Sequence, residues 1–188
     1  MSVLDSGAYR VPAVVVKNSL RGGWKQDPSL TKKNMSLADI EKKVVKPINP
    51  QYPGFGTTNN CLRATYSYEM RRRGFDVAAT KTKLATGQTR GVQKVVGGFK
   101  GSHQKIRNEQ NKNNKFVRFV FGEHPKAKDV YAALKDQPER SRGDFQVTWA
   151  GARARHSMAY EIINHKPVII DAQSGKIFDS PQALDQIM

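Results

Sequence analysis

The sequence predicts an α+β protein in which one cysteine-bearing helix packs on an antiparallel sheet, behind an extended basic arm. Three observations carry this prediction. A sharply bounded helical segment begins at Cys61. The last quarter of the chain alternates apolar and polar residues in short runs separated by turn residues. Positive charge is concentrated ahead of those runs: residues 1–58 hold nine basic and four acidic residues, residues 59–143 nineteen and seven, and residues 144–188 four and five.

The stretch from Met1 to Met35 has little periodicity. Val11 to Val16 reads as one short strand, Gly22-Gly23 interrupts the chain after it, and the whole stretch is expected to be an arm with weak autonomous structure. A first helix is expected from Leu37 to Val45, with Ser36 as N-cap, Asp39 returning the capping bond, and Pro47 ending it. Pro47 to Gly56, with three prolines and two glycines, reads as a rigid irregular linker. These signals divide the chain into an arm over residues 1–46 and a domain over residues 47–188.

The next helix is the best marked. Asn59 or Asn60 caps it, Cys61 begins it, and CLRATYSYEMRRR carries it to Arg73. Gly74 supplies a left-handed exit, and three arginines suit the negative end of the helix dipole. Cys61, Ala64, Thr65 and Tyr68 share one face, the expected core side. Phe75, Val77 and Ala79 then alternate as a strand. Residues 86–115 carry seven basic residues against one acid, Glu109, and read as a mobile basic excursion. Beyond it the pattern predicts a strand over Phe116–Phe121, a helix over Lys126–Lys135, and strands at Phe145–Trp149, His156–Ile163 and Val168–Asp171. A further strand at Lys176–Phe178 precedes a closing helix at Ser180-Pro181.

A cysteine in the first turn of a helix is chemically special. The unpaired amides and the positive dipole end stabilise its thiolate, which is the nucleophilic form. Downstream, His156 starts one strand and Asp171 ends the next, and a turn of about three residues joins them as antiparallel neighbours. That hairpin brings the two near each other, so Asp171 can orient His156 and His156 can activate Cys61. Singly, each residue has an ordinary structural explanation: a buried small thiol, a strand histidine, a turn aspartate. Order and local context together favour a triad.

The pieces NNCLRATYSYEMRRRGFDVAA and RHSMAYEIINHKPVIIDAQSGKIFD carry a resemblance. Helix-borne Cys, then strand-borne His, then Asp-x-Gln-x-Gly resembles the papain-like fold. More narrowly it is similar to the papain-fold toxin domains of bacterial polymorphic toxins and their relatives among virion-associated proteins of tailed phages. The resemblance spans roughly residues 47–188. It implies a papain-like core with Cys61 as nucleophile, His156 as base, Asp171 as orienter and Gln173 as an accessory polar group. A papain-type site usually places a glutamine before the nucleophile to bind the oxyanion. Here that neighbourhood offers Thr57, Thr58, Asn59 and Asn60, and the nearest glutamine is Gln51. Some phage-type relatives carry a second cysteine where this chain has Ala64.

Composition narrows the function. The single cysteine excludes an internal disulfide and every multi-cysteine metal site. His103, His124 and His165 are scattered over expected loops, so neither metal nor cofactor is expected. No apolar run approaches the ~20 residues a membrane helix needs, and the N-terminus lacks a signal-peptide pattern. A net charge of +16 on 188 residues favours a polyanionic partner, DNA or an acidic viral structural protein within a larger assembly. Arg90, Lys94, Lys100, Lys105, Arg107, Lys112, Lys115 and Arg118 are the expected phosphate-contacting residues. The Arg71–Arg73 run is a second place where phosphate could be gripped, although helix-end charge needs no partner. Trp24, Tyr52 and Phe55 are expected to anchor the arm to the core rather than to stack bases.

The sequence therefore supports three functions. One is a virion-associated head protein of a tailed phage carrying a papain-like cysteine hydrolase-type domain. Another is a secreted toxin or effector, a peptidase or glutamine deamidase; the third is a non-catalytic nucleic-acid-binding or assembly protein. The basic segments favour the first and third, the triad order the first and second. The virion is the expected location, with the bacterial cytoplasm or secretion as alternatives.

Overall fold

The computed structural model describes residues 20–21, 26–82, 126–148 and 155–187. Within them the chain is α+β. Strand β1 (Leu20–Arg21) pairs with β2 (Ala78–Ala79) in a small antiparallel ribbon. Helix α1 begins at Leu37–Asp39 and continues as a π turn over Ile40–Val45 and a 3-10 turn over Lys46–Ile48. Helix α2 spans Cys61–Arg72 and α3 spans Ala127–Leu134. The main sheet is a four-stranded antiparallel meander of β3 (Arg142–Thr148), β4 (Arg155–Ile163), β5 (Lys166–Asp171) and β6 (Lys176–Phe178). Helix α4 (Pro181–Asp185) closes the chain, with Ser180 capping it.

The sheet sits between two helical layers, and the strand period of two explains how. From β4 and β5, Ala159, Ile163, Val168 and Ile170 join Ala64 and Tyr68 of α2 and Ile40, Val44 and Val45 of the first helical segment. The alternate residues Met158, Ile162 and Ile169 join Val130 and Leu134 of α3 and Leu184 of α4. β4 and β5 are packed on both faces around the turn that joins them, which is why Ile162-Ile163 and Val168-Ile169-Ile170 are apolar at consecutive positions. Asn164 and His165 connect them with φ of 53° and 61°. Two consecutive left-handed residues make the tight turn whose twist matches the strands. Glu139 secures it by accepting from the backbone N–H groups of Asn164 (3.1 Å) and His165 (2.7 Å).

The docking of α2 onto β4 uses charge as well as apolar contact. Glu161, in mid-strand, is 1% exposed. Arg72 donates to both its oxygens, from Nε at 2.8 Å and Nη2 at 2.7 Å, and the Tyr68 hydroxyl donates at 2.6 Å. Arg72 also donates to the Leu30 carbonyl at 2.7 Å, tying the preceding segment to the same cluster. Next to it, Glu69 accepts from Arg142 Nε at 3.0 Å and Arg73 Nε at 2.9 Å. Arg71 reaches the carbonyls of Lys43 and Val77 and pairs with Asp76. The Arg71–Arg73 run is thus consumed by the fold: Arg71 and Arg72 are buried and all three are paired, so none is presented to phosphate.

Several local expectations are corrected. The α and π turns end at Val45 as expected, and Pro47 sits at the start of the 3-10 turn that follows, where a missing N–H costs nothing. Ser36 Oγ does accept from the Asp39 N–H, but the Asp39 carboxylate meets the Ser36 hydroxyl rather than its backbone N–H. The strand expected from Phe75 to Ala79 shortens to Ala78–Ala79, and Phe75 makes an isolated bridge with Gln26. Residues 26–35 are more structured than an arm: Asp27 caps a 3-10 turn over Pro28–Thr31, and Leu30 and Met35 lie in the core cluster that contains Tyr68 and Ile170. Tyr52 and Phe55 are 40% and 72% exposed, so among the described residues neither is buried as an anchor. The Val11–Val16 strand, Trp24, the basic excursion with its eight expected contacts, and the Phe116–Phe121 strand lie outside the described residues.

Replacing Arg72 with Met, which fills similar volume without charge, leaves Glu161 buried without its cation. We expect unfolding in urea to show a loss of about 3–5 kcal/mol. The exposed-site control Lys42→Met should change stability by less than about 0.5 kcal/mol.

Candidate active site

Cys61 is the first residue of α2, His156 the second of β4, and Asp171 the last of β5. The register Ala159↔Ile170 places His156 and Asp171 at the same end of the hairpin. Helix α2 packs on β4 with the Thr65 hydroxyl donating to the Ser157 carbonyl at 3.1 Å, which holds the helix start beside His156. The structure therefore brings together the three side chains that the sequence singled out.

His156 Nε2 lies 3.1 Å from Asp171 Oδ1, and both side chains are about nine-tenths buried. With Nε2 on the carboxylate, Nδ1 is left for Cys61, whose sulfur is hydrogen-bonded to the imidazole. The backbone N–H groups of Ser157 and Leu62 also favour the ionised form of the sulfur. The Asp171 carboxylate is held from behind. Its Oδ1 accepts from the N–H groups of Gln173 (3.1 Å) and Ser174 (3.3 Å), and its Oδ2 from the Ser174 hydroxyl (2.7 Å).

These contacts set the charges. Burial pushes the Cys61 thiol up, but His156 and the peptide N–H groups of Ser157 and Leu62 outweigh it and bring the thiol below its ordinary value. Burial also disfavours the imidazolium, yet Asp171 and Cys61 raise His156 to about 9. Burial likewise works against the Asp171 carboxylate, and His156 with Ser174 lowers it overall. Near neutral pH the arrangement is an imidazolium and a carboxylate in a row, beside a thiol whose ionisation the imidazolium favours. It offers a nucleophile, a proton donor beside it, and an anion that fixes the ring.

Gln173 belongs to a different tier. Its side chain is buried, and Nε2 donates to Asn60 Oδ1 at 3.3 Å rather than toward Cys61. Asn60 occupies the N-cap position but makes no capping bond, so the expected cap is absent as a hydrogen bond. Its amide instead donates to Asn49 Oδ1 (3.1 Å) and the Thr80 carbonyl (3.3 Å). Of the other residues near the nucleophile that could serve as oxyanion donors, Thr57 donates to the Gly54 carbonyl at 2.6 Å. Thr58 and Thr82 both donate to Asn59 Oδ1. Asn49, Ser174 and the Ser157 N–H are site-supporting groups that sequence reasoning missed. Asn49 lies in a stretch that reads as linker, and a backbone donor leaves no trace in residue identity. Ser174, directly after Asp-x-Gln, did carry a signal, since Asx and Ser turns favour that spacing.

Among the described residues there is no group of three or more His, Cys, Asp or Glu placed to hold a metal, and His165 sits exposed in the β4–β5 turn. No helix among them is long and apolar enough to cross a membrane. No protein-family model, curated protein or solved structure matches this chain.

The thiolate should react with iodoacetamide well below the free-thiol value of about 8.5. His156→Ala should move the rate–pH profile upward toward that value; mass spectrometry of the Cys61 peptide reads both. Stability carries a second signature. His156, raised to about 9, contributes stability that is full below about 6.5 and lost as pH rises through about 9. Cys61, lowered from 9.0, contributes stability that is present above that value and lost as pH falls through its lowered one. The two slopes oppose each other from the lowered Cys61 value up to about pH 9. In Cys61→Ser only a histidine slope remains, and it ends at a lower pH because Cys61 no longer helps to raise His156. The unfolding free-energy difference between wild type and Cys61→Ser should therefore grow with pH up to the variant's histidine transition and level off above it, as measured by urea titration at several pH values.

Proposed function

We propose that this protein is a papain-like cysteine hydrolase acting on an amide carbonyl, carried in the particle of a tailed phage. The observation that carries the enzymatic part is the Cys61–His156–Asp171 chain, with its thiol at a helix start and its imidazolium held by a buried carboxylate. The Cys61 sulfur attacks the carbonyl carbon, forming the C–S bond. As the C–N bond breaks, His156 gives its proton to the departing nitrogen. Neutral His156 then takes a proton from water, the hydroxide attacks the thioester, and the acid product leaves while the thiolate–imidazolium pair is restored. The departing nitrogen is an amine if the substrate is a peptide bond and ammonia if it is a glutamine carboxamide. We assign first-turn N–H groups of α2 as the donors for the developing oxyanion.

The phage setting rests on the resemblance of the Asn-Cys helix and the Asp-x-Gln-x-Gly hairpin, and on the net charge of +16. That charge suits packing against DNA or an acidic capsid surface.

Incubation with glutamine-containing peptides should yield either free ammonia or new N-termini. Cys61→Ala should abolish the product and His156→Ala should slow its formation on the order of 10²–10⁴-fold. Product formation that is unchanged in Cys61→Ala would remove the hydrolase reading. For the setting, binding to duplex DNA across a salt series should weaken steeply with salt. Changing Arg90, Lys94, Lys100 and Lys105 to Gln should flatten that dependence. Binding undetectable even in low salt would leave an acidic protein surface as the partner.

A further inference from the structure

Behind the candidate site lies a cluster of three carboxamides from separate parts of the chain. Asn49 follows the 3-10 turn, Asn60 precedes the nucleophile, and Gln173 follows Asp171 by two residues. All three are buried. Asn49 Nδ2 reaches Gln173 O at 2.8 Å, Thr57 O at 3.0 Å and Asn60 Oδ1 at 3.2 Å. Asn60 Nδ2 returns a bond to Asn49 Oδ1 at 3.1 Å, and Gln173 Nε2 reaches Asn60 Oδ1 at 3.3 Å. At its far end the cluster touches the triad, because the Gln173 N–H donates to Asp171 Oδ1.

Asparagine at an N-cap ordinarily accepts from the second or third helical N–H. The Asn60 oxygen accepts from Asn49 and Gln173 instead, and no side-chain cap forms. The amide end of α2 is thereby left to the site, where the Leu62 N–H favours the ionised Cys61 sulfur. A capping side chain at position 60 would compete for that end of the helix.

We infer that Asn49, Asn60 and Gln173 are positioning residues: they tie the start of the Cys61 helix to the Asp171 loop and keep the helix amides open to the thiolate. The inference rests on the cysteine-hydrolase reading and adds residues that do not touch the reacting atoms.

The test uses the full chain and follows iodoacetamide alkylation of Cys61 against pH, with urea unfolding in parallel. Asn60→Ser supplies a hydroxyl that caps α2 but cannot span to Asn49 and Gln173. Gln173→Met keeps side-chain bulk and both main-chain bonds while losing the donor to Asn60. In each variant alkylation at pH 6.5 should fall about tenfold, with the profile moving toward the free-thiol value. In Asn60→Ser the new cap should hold unfolding near wild type, a separation of reactivity from stability that a merely structural cluster would not give. Wild-type alkylation profiles in both variants would overturn the inference, whatever happens to stability. So would loss of the fold in both, since the cluster would then hold the fold rather than the site. His156→Ala tells this failure from failure of the site itself: a wild-type profile there means that no activated thiol exists to be positioned.

Discussion

The fold depends on one buried charge pair. Glu161 and Arg72 clamp α2 to β4, and the site lies at the opposite end of the same two elements. Cys61 and Arg72 are eleven residues apart on the helix, about 16 Å at 1.5 Å per residue. His156 and Glu161 are five residues apart on the strand, about 17 Å at 3.4 Å per residue. Because the spans match, helix and strand can lie side by side with a polar contact at each end. Tyr68 on Glu161 and Thr65 on the Ser157 carbonyl fill the interval. A buried ion pair is a poor source of net stability, but it is specific about register. An apolar contact would tolerate a one-turn slide of α2, whereas Glu161 accepts bidentate donation at one position only. The clamp at one end thus fixes which residue meets His156 at the other.

At the site end the same burial works against all three ionisable groups, and hydrogen bonds reverse its sign. Asp171 is held ionised by His156 and by Ser174, donating from its N–H and its hydroxyl. That carboxylate, with Cys61, keeps His156 protonated, and the imidazolium in turn supports the thiolate. No member of the chain has its altered protonation alone. Each depends on the next, which is why the support of Asp171 by the residues after β5 matters to a sulfur on a different element.

Much of this was legible in the sequence, for identifiable reasons. The Cys61 helix carries its own start and stop, and Gly74, with φ of 94°, ends it as its position suggests. The β4–β5 hairpin declares itself by two apolar runs around Asn164-His165, and the placement of His156 and Asp171 is set by its register. The hidden features depend on pairing across long separations. Glu161 reads as an ordinary polar residue of an alternating strand until Arg72, 89 positions earlier, is brought to it. The arginine run reads as a charged surface for the same reason. Asn49 was hidden by its surroundings, since Pro47 and Pro50 mark irregular chain but say nothing of a side chain bonded to Gln173, 124 positions later. The resemblance to papain-fold toxin-like domains drew on the short segments around Cys61, His156 and Asp171, while the clamp and the carboxamide cluster emerged only from three-dimensional placement.

The central claim is that Asp171 and Cys61 hold His156 as an imidazolium in the resting protein. The most direct measurement is an NMR titration of the His156 ring in isotopically labelled protein. The account predicts an imidazolium at neutral pH that loses its proton near pH 9, with the transition moving to lower pH in Cys61→Ser. A ring already neutral at pH 7, titrating near the ordinary value of about 6.5 and indifferent to Cys61, would contradict it.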